Sequence, residues 1–484
     1  MLNFINGEFH SLESPTGKMH LINPATGKLL LSWTPDETGV EKAVAAATAA
    51  FPAWSALTHK ARGQILFKFR SLCLDKYKQE LIDTIVLENG KHVTDATASL
   101  LKGIETVEWA VSNHVGVGSI QAVSTGITCS DRRDPVGVIA SICPFNFPAM
   151  VPLWTVPILL VLGNCVIVKP SEKVPLTFTL MSRIFLEAGL PSGVLSVVHG
   201  GASIVDALIA HRGIAGITFV GSSPVAELVY RKATLEGKRA ICLGGAKNHL
   251  VLLADADPEM ATSDILASFA GSAGQRCMAA SVLVTVGSDS RISQTIELLV
   301  DKASKISPSQ TLPSSIGPLI DLNAKNRVVK YIEQASNILL DGRKWTEKEG
   351  FWIGPTIISH SSLSDSALSD EIFGPVLSII NVPSLGDAIK IINDSKYGNA
   401  ACVYTQSGPV ADIFTRSVNV GMIGVNVGVP VPREPFSFGG TKQSKFGIGD
   451  ITGDGLVEFG TIRRKITTKW TASGGDFVSR NFTG

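Results

Sequence analysis

The chain has 484 residues and almost no net charge, formally +1. No stretch of it reads as a basic arm, so nucleic acid is not an expected partner. Its seven cysteines, Cys73, Cys129, Cys143, Cys165, Cys242, Cys277 and Cys402, form no CxxC pair and show no His/Cys ligand spacing. That argues against a disulfide framework and against a zinc site, so no metal is implied, and a reducing compartment is the simpler reading. The first residues, Met1–Phe9, lack both a basic region followed by an apolar run and the Arg/Ser-rich pattern of a transit peptide. A cytoplasmic protein is expected, with the mitochondrial matrix open if a transit peptide has been removed. The sequons at Asn393 and Asn481 then carry no meaning. One apolar run stands out, Phe147 to Gly163. It is short for a membrane span and interrupted by Pro148, Pro152 and Pro157, so it reads as a buried core helix and no membrane contact is expected. The familiar signatures GxGxxG, P-loop, GxSxG and HExxH are all missing.

What is present is a large-enzyme composition, 45% hydrophobic and 18% charged, in a chain long enough for two or more domains. From Pro135 apolar runs alternate with helical patterns. Val136 to Cys143, Cys165 to Lys169, Val194 to Val198 and Gly216 to Val220 read as strands. Phe147 to Gly163, Val174 to Ala188, Ser203 to His211 and a segment opening at Ser223-Pro224 read as helices, with Ser223 as N-cap. Continuous apolar strands separated by helices predict a parallel sheet covered on both faces. The pattern resumes after Gly244-Gly245 with a strand at His249 to Leu253 and a helix opened by Asp257-Pro258-Glu259. A second α/β domain to about Pro430 is expected. The tail, Thr461 to Trp470, has strand character; it is either an oligomer-forming strand or a terminal edge strand.

Three segments carry candidate chemistry. Ile217 to Ser223 ends a strand in small residues at a helix start, where free N–H groups can hold a phosphate; most such junctions are only turns. Val168-Lys169-Pro170-Ser171-Glu172 lies at the carboxyl end of another strand, where open α/β sheets bind ligands, and its Lys and Glu could hold ribose hydroxyls. Read alone it is a solvated loop. Gly274-Gln275-Arg276-Cys277 places a thiol after a glycine, with Arg276 beside it to favour the thiolate; most free cysteines, however, are packed and inert.

Taken together, these segments change the odds. Phe4-Ile5-Asn6-Gly7-Glu8, Pro144-Phe145-Asn146-Phe147-Pro148, Lys169 to Glu172, Phe219 to Ser222, Gly274 to Cys277 and Glu371-Ile372-Phe373-Gly374-Pro375 occur in one order and spacing. In this the chain resembles the aldehyde dehydrogenase superfamily over nearly its whole length. The resemblance implies an α/β fold with a Rossmann-type cofactor domain (1–116 and 136–247), an α/β catalytic domain (248–435) and a small β oligomerisation element (117–135 and 460–484), assembled as a homodimer or homotetramer. It implies NAD as cofactor. Cys277 resembles the nucleophile and Asn146 the oxyanion donor. Lys169 and Glu172 resemble adenosine-ribose contacts and Ser222 a pyrophosphate contact. Phe145, Glu371 and Phe373 fall on the nicotinamide side. Glu172 at the ribose would favour NAD over NADP.

The chain departs from the common pattern at one place. Most of the superfamily carries a water-activating Glu before Leu-Gly-Gly-Lys, whereas this chain reads Cys242-Leu243-Gly244-Gly245-Ala246-Lys247-Asn248-His249. That form resembles the methylmalonate-semialdehyde dehydrogenase branch, as do Cys143 to Pro148 and Cys277-Met278-Ala279. In that branch coenzyme A takes the acyl group. Arg276 and Lys102 fall where the branch binds a substrate carboxylate, Lys102 standing for the more usual Arg and lacking its bidentate fork. Arg433 is a further cation near the Phe436 to Gly440 loop, or simply a solvated surface residue. The implied activity is oxidation of a small anionic semialdehyde with acyl transfer to coenzyme A. A hydrolytic dehydrogenase of another anionic aldehyde, such as a sulfonated one, and a catalytically silent scaffold are the alternatives.

Overall fold

A computed structural model describes residues 1–12, 18–112, 118–124 and 126–469. The sequence places parts of the oligomerisation element at 117, 125 and 470–484 and one sequon at Asn481; these lie outside the described residues. Two sheets organise the chain. In the first, Leu195–Val197, Cys165–Lys169, Val138–Ile142, Ile214–Val220 and Arg239–Leu243 run parallel in that spatial order. Leu2–Ile5, with Glu8–Ser11 outside it, and Lys445–Phe446 flank these five strands antiparallel. Every residue of Val138–Ile142 and Cys165–Lys169 is buried, which is why these strands read as unbroken apolar runs and not as alternating ones. Chain order reverses between Val138–Ile142 and Ile214–Val220. Ligands of such sheets bind at the carboxyl ends beside this reversal, which here means next to residues 143–146 and 221–222.

The helix Met150–Leu162 covers this sheet with all its residues buried, so its uniform apolarity belongs to the core. No described helix is long and apolar enough to cross a membrane. Residues after Phe438, unassigned by the sequence pattern, return to the first sheet: the helix Gly453–Phe459 packs on Met150–Leu162. The predicted cap at Ser223 is displaced by one residue. Ser222 is the cap of the helix Ser223–Leu235, while Ser223 is buried and its hydroxyl donates to Gln443 O at 2.6 Å and accepts from Gly245 N at 2.9 Å.

The second sheet orders Thr356–His360, Val376–Val382, Ala280–Val286, Asn248–Leu252, Ala400–Tyr404 and Met422–Val425 in parallel, with Ile338–Leu340 antiparallel at one edge. Asp257 caps the helix Pro258–Ala270 by accepting from Met260 N. A third, three-stranded sheet joins Ile120–Ser124, Ile127–Pro135 and Thr461–Lys469, the last an edge strand paired along its whole length.

Candidate active site

Cys277 sits between the short 3-10 turn Gly271–Gly274 and the strand Ala280–Val286 of the second sheet. The turn is strained: Ser272 and Ala273 have φ of 52° and 53°, a region costly for residues with a Cβ. Gly274, at φ 68°, follows them, and a Cβ there would stand 2.1 Å from Gly374 O. Glycine is therefore obligatory where the turn meets Phe373-Gly374-Pro375. Ser272 is held from two sides. Its N–H donates to Asp95 at 2.9 Å, and its hydroxyl accepts from the buried Lys91 at 3.0 Å. Gln275 accepts from Ile320 N at 3.0 Å and locks the far end of the turn.

The Cys277 carbonyl is clamped by two side-chain amides, Asn248 at 2.7 Å and Asn399 at 2.8 Å. Asn248 also donates to Ala279 O and accepts from Ala400 N. These two asparagines went unrecognised as site residues. Asn248 lies inside the Gly-Ala-Lys-Asn-His stretch, but Asn399 carries no sequence signal because its partner is 122 residues away. Asn146 is buried, and its amide donates to Gln275 O at 3.0 Å. That bond fixes the amide plane beside the nucleophile loop. An amide nitrogen has a second N–H.

Arg276 favours the thiolate as expected, but it is outweighed. Burial pushes the Cys277 thiol up to about 12, the Glu371 charge pushes the same way, and Arg276 opposes them too weakly. The physical reason is that burial dominates. Arg276 donates through Nη2 to Ala267 O and to Ser268 O at the end of helix Pro258–Ala270. Its Nε is buried without a partner.

Cys277 and Arg276 line a cavity of about 330 Å³. The helix Val93–Ser112 contributes Asp95, Ala98, Ser99 and Lys102, positions three or four apart and so on one helix face. Phe147, Met150, Trp154, Met278 and Phe438 supply apolar wall, and Val429, Val431 and Arg433 complete it. Lys102 thus reaches the cavity, but its ammonium is paired with Glu105 at 2.7 Å. Cys242 is fully buried on the first sheet, with its thiol also pushed up to about 12, and it forms no disulfide.

The cofactor candidates gather at the carboxyl edge of the first sheet. Lys169 ends its strand buried, donates to Pro170 O and Gly200 O, and pairs with the half-exposed Glu172 at 3.5 Å. Ser222 is exposed at the helix start. Phe145 and Phe373 meet edge to face at 5.9 Å. Glu371 accepts from Ala246 N at 2.9 Å. A Cβ on Gly245 would stand 2.2 Å from that carboxylate, so the glycine lets Glu371 enter. An acid and amine for ribose, a helix N-terminus for pyrophosphate and an aromatic corner near the thiol fit a dinucleotide.

Comparison with known proteins agrees with this geometry. The model of the aldehyde dehydrogenase family matches residues 11–464. A malonate-semialdehyde dehydrogenase of Bacillus thuringiensis (strain Al Hakam) is 43% identical over 480 residues, covering 97% of this chain and 98% of that protein. The crystal structure of methylmalonate-semialdehyde dehydrogenase from Oceanimonas doudoroffii superposes with TM-score 0.94 at 37% identity, covering 97% of this chain and 98% of that one. A Sinorhizobium meliloti 1021 protein assigned to the same activity, solved with NAD, gives TM-score 0.93 at 34% identity, covering 97% and 98%. The chain belongs to the aldehyde dehydrogenase family.

Proposed function

We propose that the chain oxidises a short anionic semialdehyde of the malonate or methylmalonate type with NAD, and passes the acyl group from Cys277 to coenzyme A. The observation that carries this is the state of Cys242. The position from which the resemblance expects a water-activating Glu holds a fully buried thiol, which cannot take a proton from water.

Cys277 attacks the aldehyde carbon once its proton has left. Asn146 and the Cys277 N–H are the donors for the resulting oxyanion, and a donor so placed is worth roughly 3–4 kcal/mol. NAD, when bound, accepts the hydride. Lys169, Glu172 and Ser222 would hold it by ribose and phosphate; Phe145, Glu371 and Phe373 would border its reactive end. The product is a thioester on Cys277. The coenzyme A thiolate then attacks that carbonyl, the Cys277 sulfur leaves as thiolate, and one thioester replaces another. Arg276 and Lys102 line the substrate cavity, on the side where the resemblance places the anionic group. Exposed Ile462 and Ile466 on the edge strand Thr461–Lys469 support assembly into a homodimer or homotetramer, which sedimentation would size.

Mixing enzyme, NAD and malonate semialdehyde without coenzyme A should release one NADH per site rapidly and then turn over slowly. Coenzyme A should raise the steady rate by about 10²–10⁴-fold, the factor a missing base would have supplied, and yield an acyl-coenzyme A identified by mass. Fast turnover to the free acid without coenzyme A would sink the proposal. The hydrolytic reading would then lead, with Glu371 as its base, since that carboxylate acts on Cys277 electrostatically.

A further inference from the structure

The cations that reach the substrate cavity differ in what already occupies them. Lys102 is neutralised by Glu105. Arg276 gives Nη2 to the carbonyls of Ala267 and Ser268, and its Nε is buried without a partner. Arg433, in the exposed loop after Val431, lines the same cavity, and among the described residues its guanidinium makes no ion pair or side-chain hydrogen bond. Ser99 faces the cavity too; it is 3% exposed and its hydroxyl is buried without a partner. The one acid of the wall, Asp95, is engaged by the Ser272 N–H.

We propose that Arg433, with Ser99, determines substrate specificity by holding the anionic head of the aldehyde. This deepens the function proposed above and rests on it. A buried donor left without an acceptor is costly, and Ser99 Oγ and Arg276 Nε, on two residues of the cavity wall, are both such donors. Arg433 supplies the uncommitted charge that Lys102 lacks, and its planar fork suits a carboxylate or sulfonate better than an ammonium does. At about 330 Å³ the cavity is at the small end of ligand pockets, so the head of a short aldehyde bound at Cys277 stays within reach of its walls. The wall's aromatic rings lower the local dielectric and strengthen the contact.

The test compares kcat/KM for malonate semialdehyde and for propanal, a neutral aldehyde of equal chain length, in wild type, R433M, R433K and S99A. R433M should lower the ratio of acid to neutral aldehyde by about 10–100-fold, as expected for loss of a charged hydrogen bond. R433K should recover part of it, and S99A should lower it by about 3–10-fold. A purely structural role would depress both aldehydes together and leave the ratio where it was. A ratio in R433M within threefold of wild type overturns the proposal; any larger fall supports it. The ratio is also read from the NADH burst without coenzyme A. Failure of coenzyme A dependence and failure of anion selection by Arg433 are therefore told apart.

Discussion

Two thiols stand at the two sheets of this protein with nearly the same intrinsic acidity and opposite fates. Burial pushes both Cys277 and Cys242 up to about 12. Cys242 lies within the strand Arg239–Leu243, paired in register with Phe219 and Phe446, and is fully buried. Cys277 follows a strained left-handed turn that lifts it out of the sheet to a cavity wall, and two asparagines hold its carbonyl there. The two thiols differ in presentation and not in acidity: Cys277 lines a cavity, and Cys242 is fully buried. In the free protein burial favours the thiol of Cys277 over its thiolate.

The comparison breaks most sharply at Cys277 itself. Cys277→Ser should lower dehydrogenase activity by at least about 10⁴-fold while NAD binding, read by fluorescence titration, persists. A serine variant with most of its activity would remove Cys277 as nucleophile. Asn146→Ala should cost about 10²–10³-fold in the burst rate, because one oxyanion donor is lost. If only KM rises and the burst rate holds, Asn146 acts in binding alone.

The presentation argument is sharpened by Asn399→Ala, which removes one of the two amides from the Cys277 carbonyl. A drop of about tenfold in burst rate is expected for the loss of one hydrogen bond to a well-placed group, with thermal stability little changed. An unchanged burst would mean that Asn248 alone suffices. Alkylation by iodoacetamide tests the acidity. With the folded thiol pushed up to about 12, the rate at Cys277 without NAD should climb about tenfold per pH unit from 7 to 10 and show no plateau near the ordinary value of about 8.5. A plateau below pH 9 would contradict the burial argument. The smallest effect is expected at Cys242: Cys242→Ser should stay within threefold of wild type, and peptide mapping after mild oxidation should show no Cys242–Cys277 link.

Much of the site was legible because its pieces are short and local. Strands buried on both faces must be apolar throughout, so Cys165 to Lys169 was recognisable to the residue. Ser222, Lys169 and Glu172 follow strand ends, and a strand end is marked by a change in composition. Glu371 was legible only through resemblance, since nothing local links it to Ala246, 125 residues earlier. The Ser223 cap was misplaced by one residue because its hydroxyl is claimed by Gln443 and Gly245, partners that no local pattern reveals.

Apolar patterning, which depends on neighbours along the chain, was enough by itself to reveal two α/β units; the expected roles of Cys277 and of the position held by Cys242 came through the resemblance of ordered motifs. Only the tertiary structure decided what each charge does. Arg276 sits beside Cys277 in sequence yet gives its Nη2 to a helix end; Lys102 is paired with Glu105; Arg433, 156 positions from Cys277, arrives at the same cavity uncommitted. Hydrogen bonding and desolvation act through space, and which groups share that space is settled only when both sheets have closed around the site.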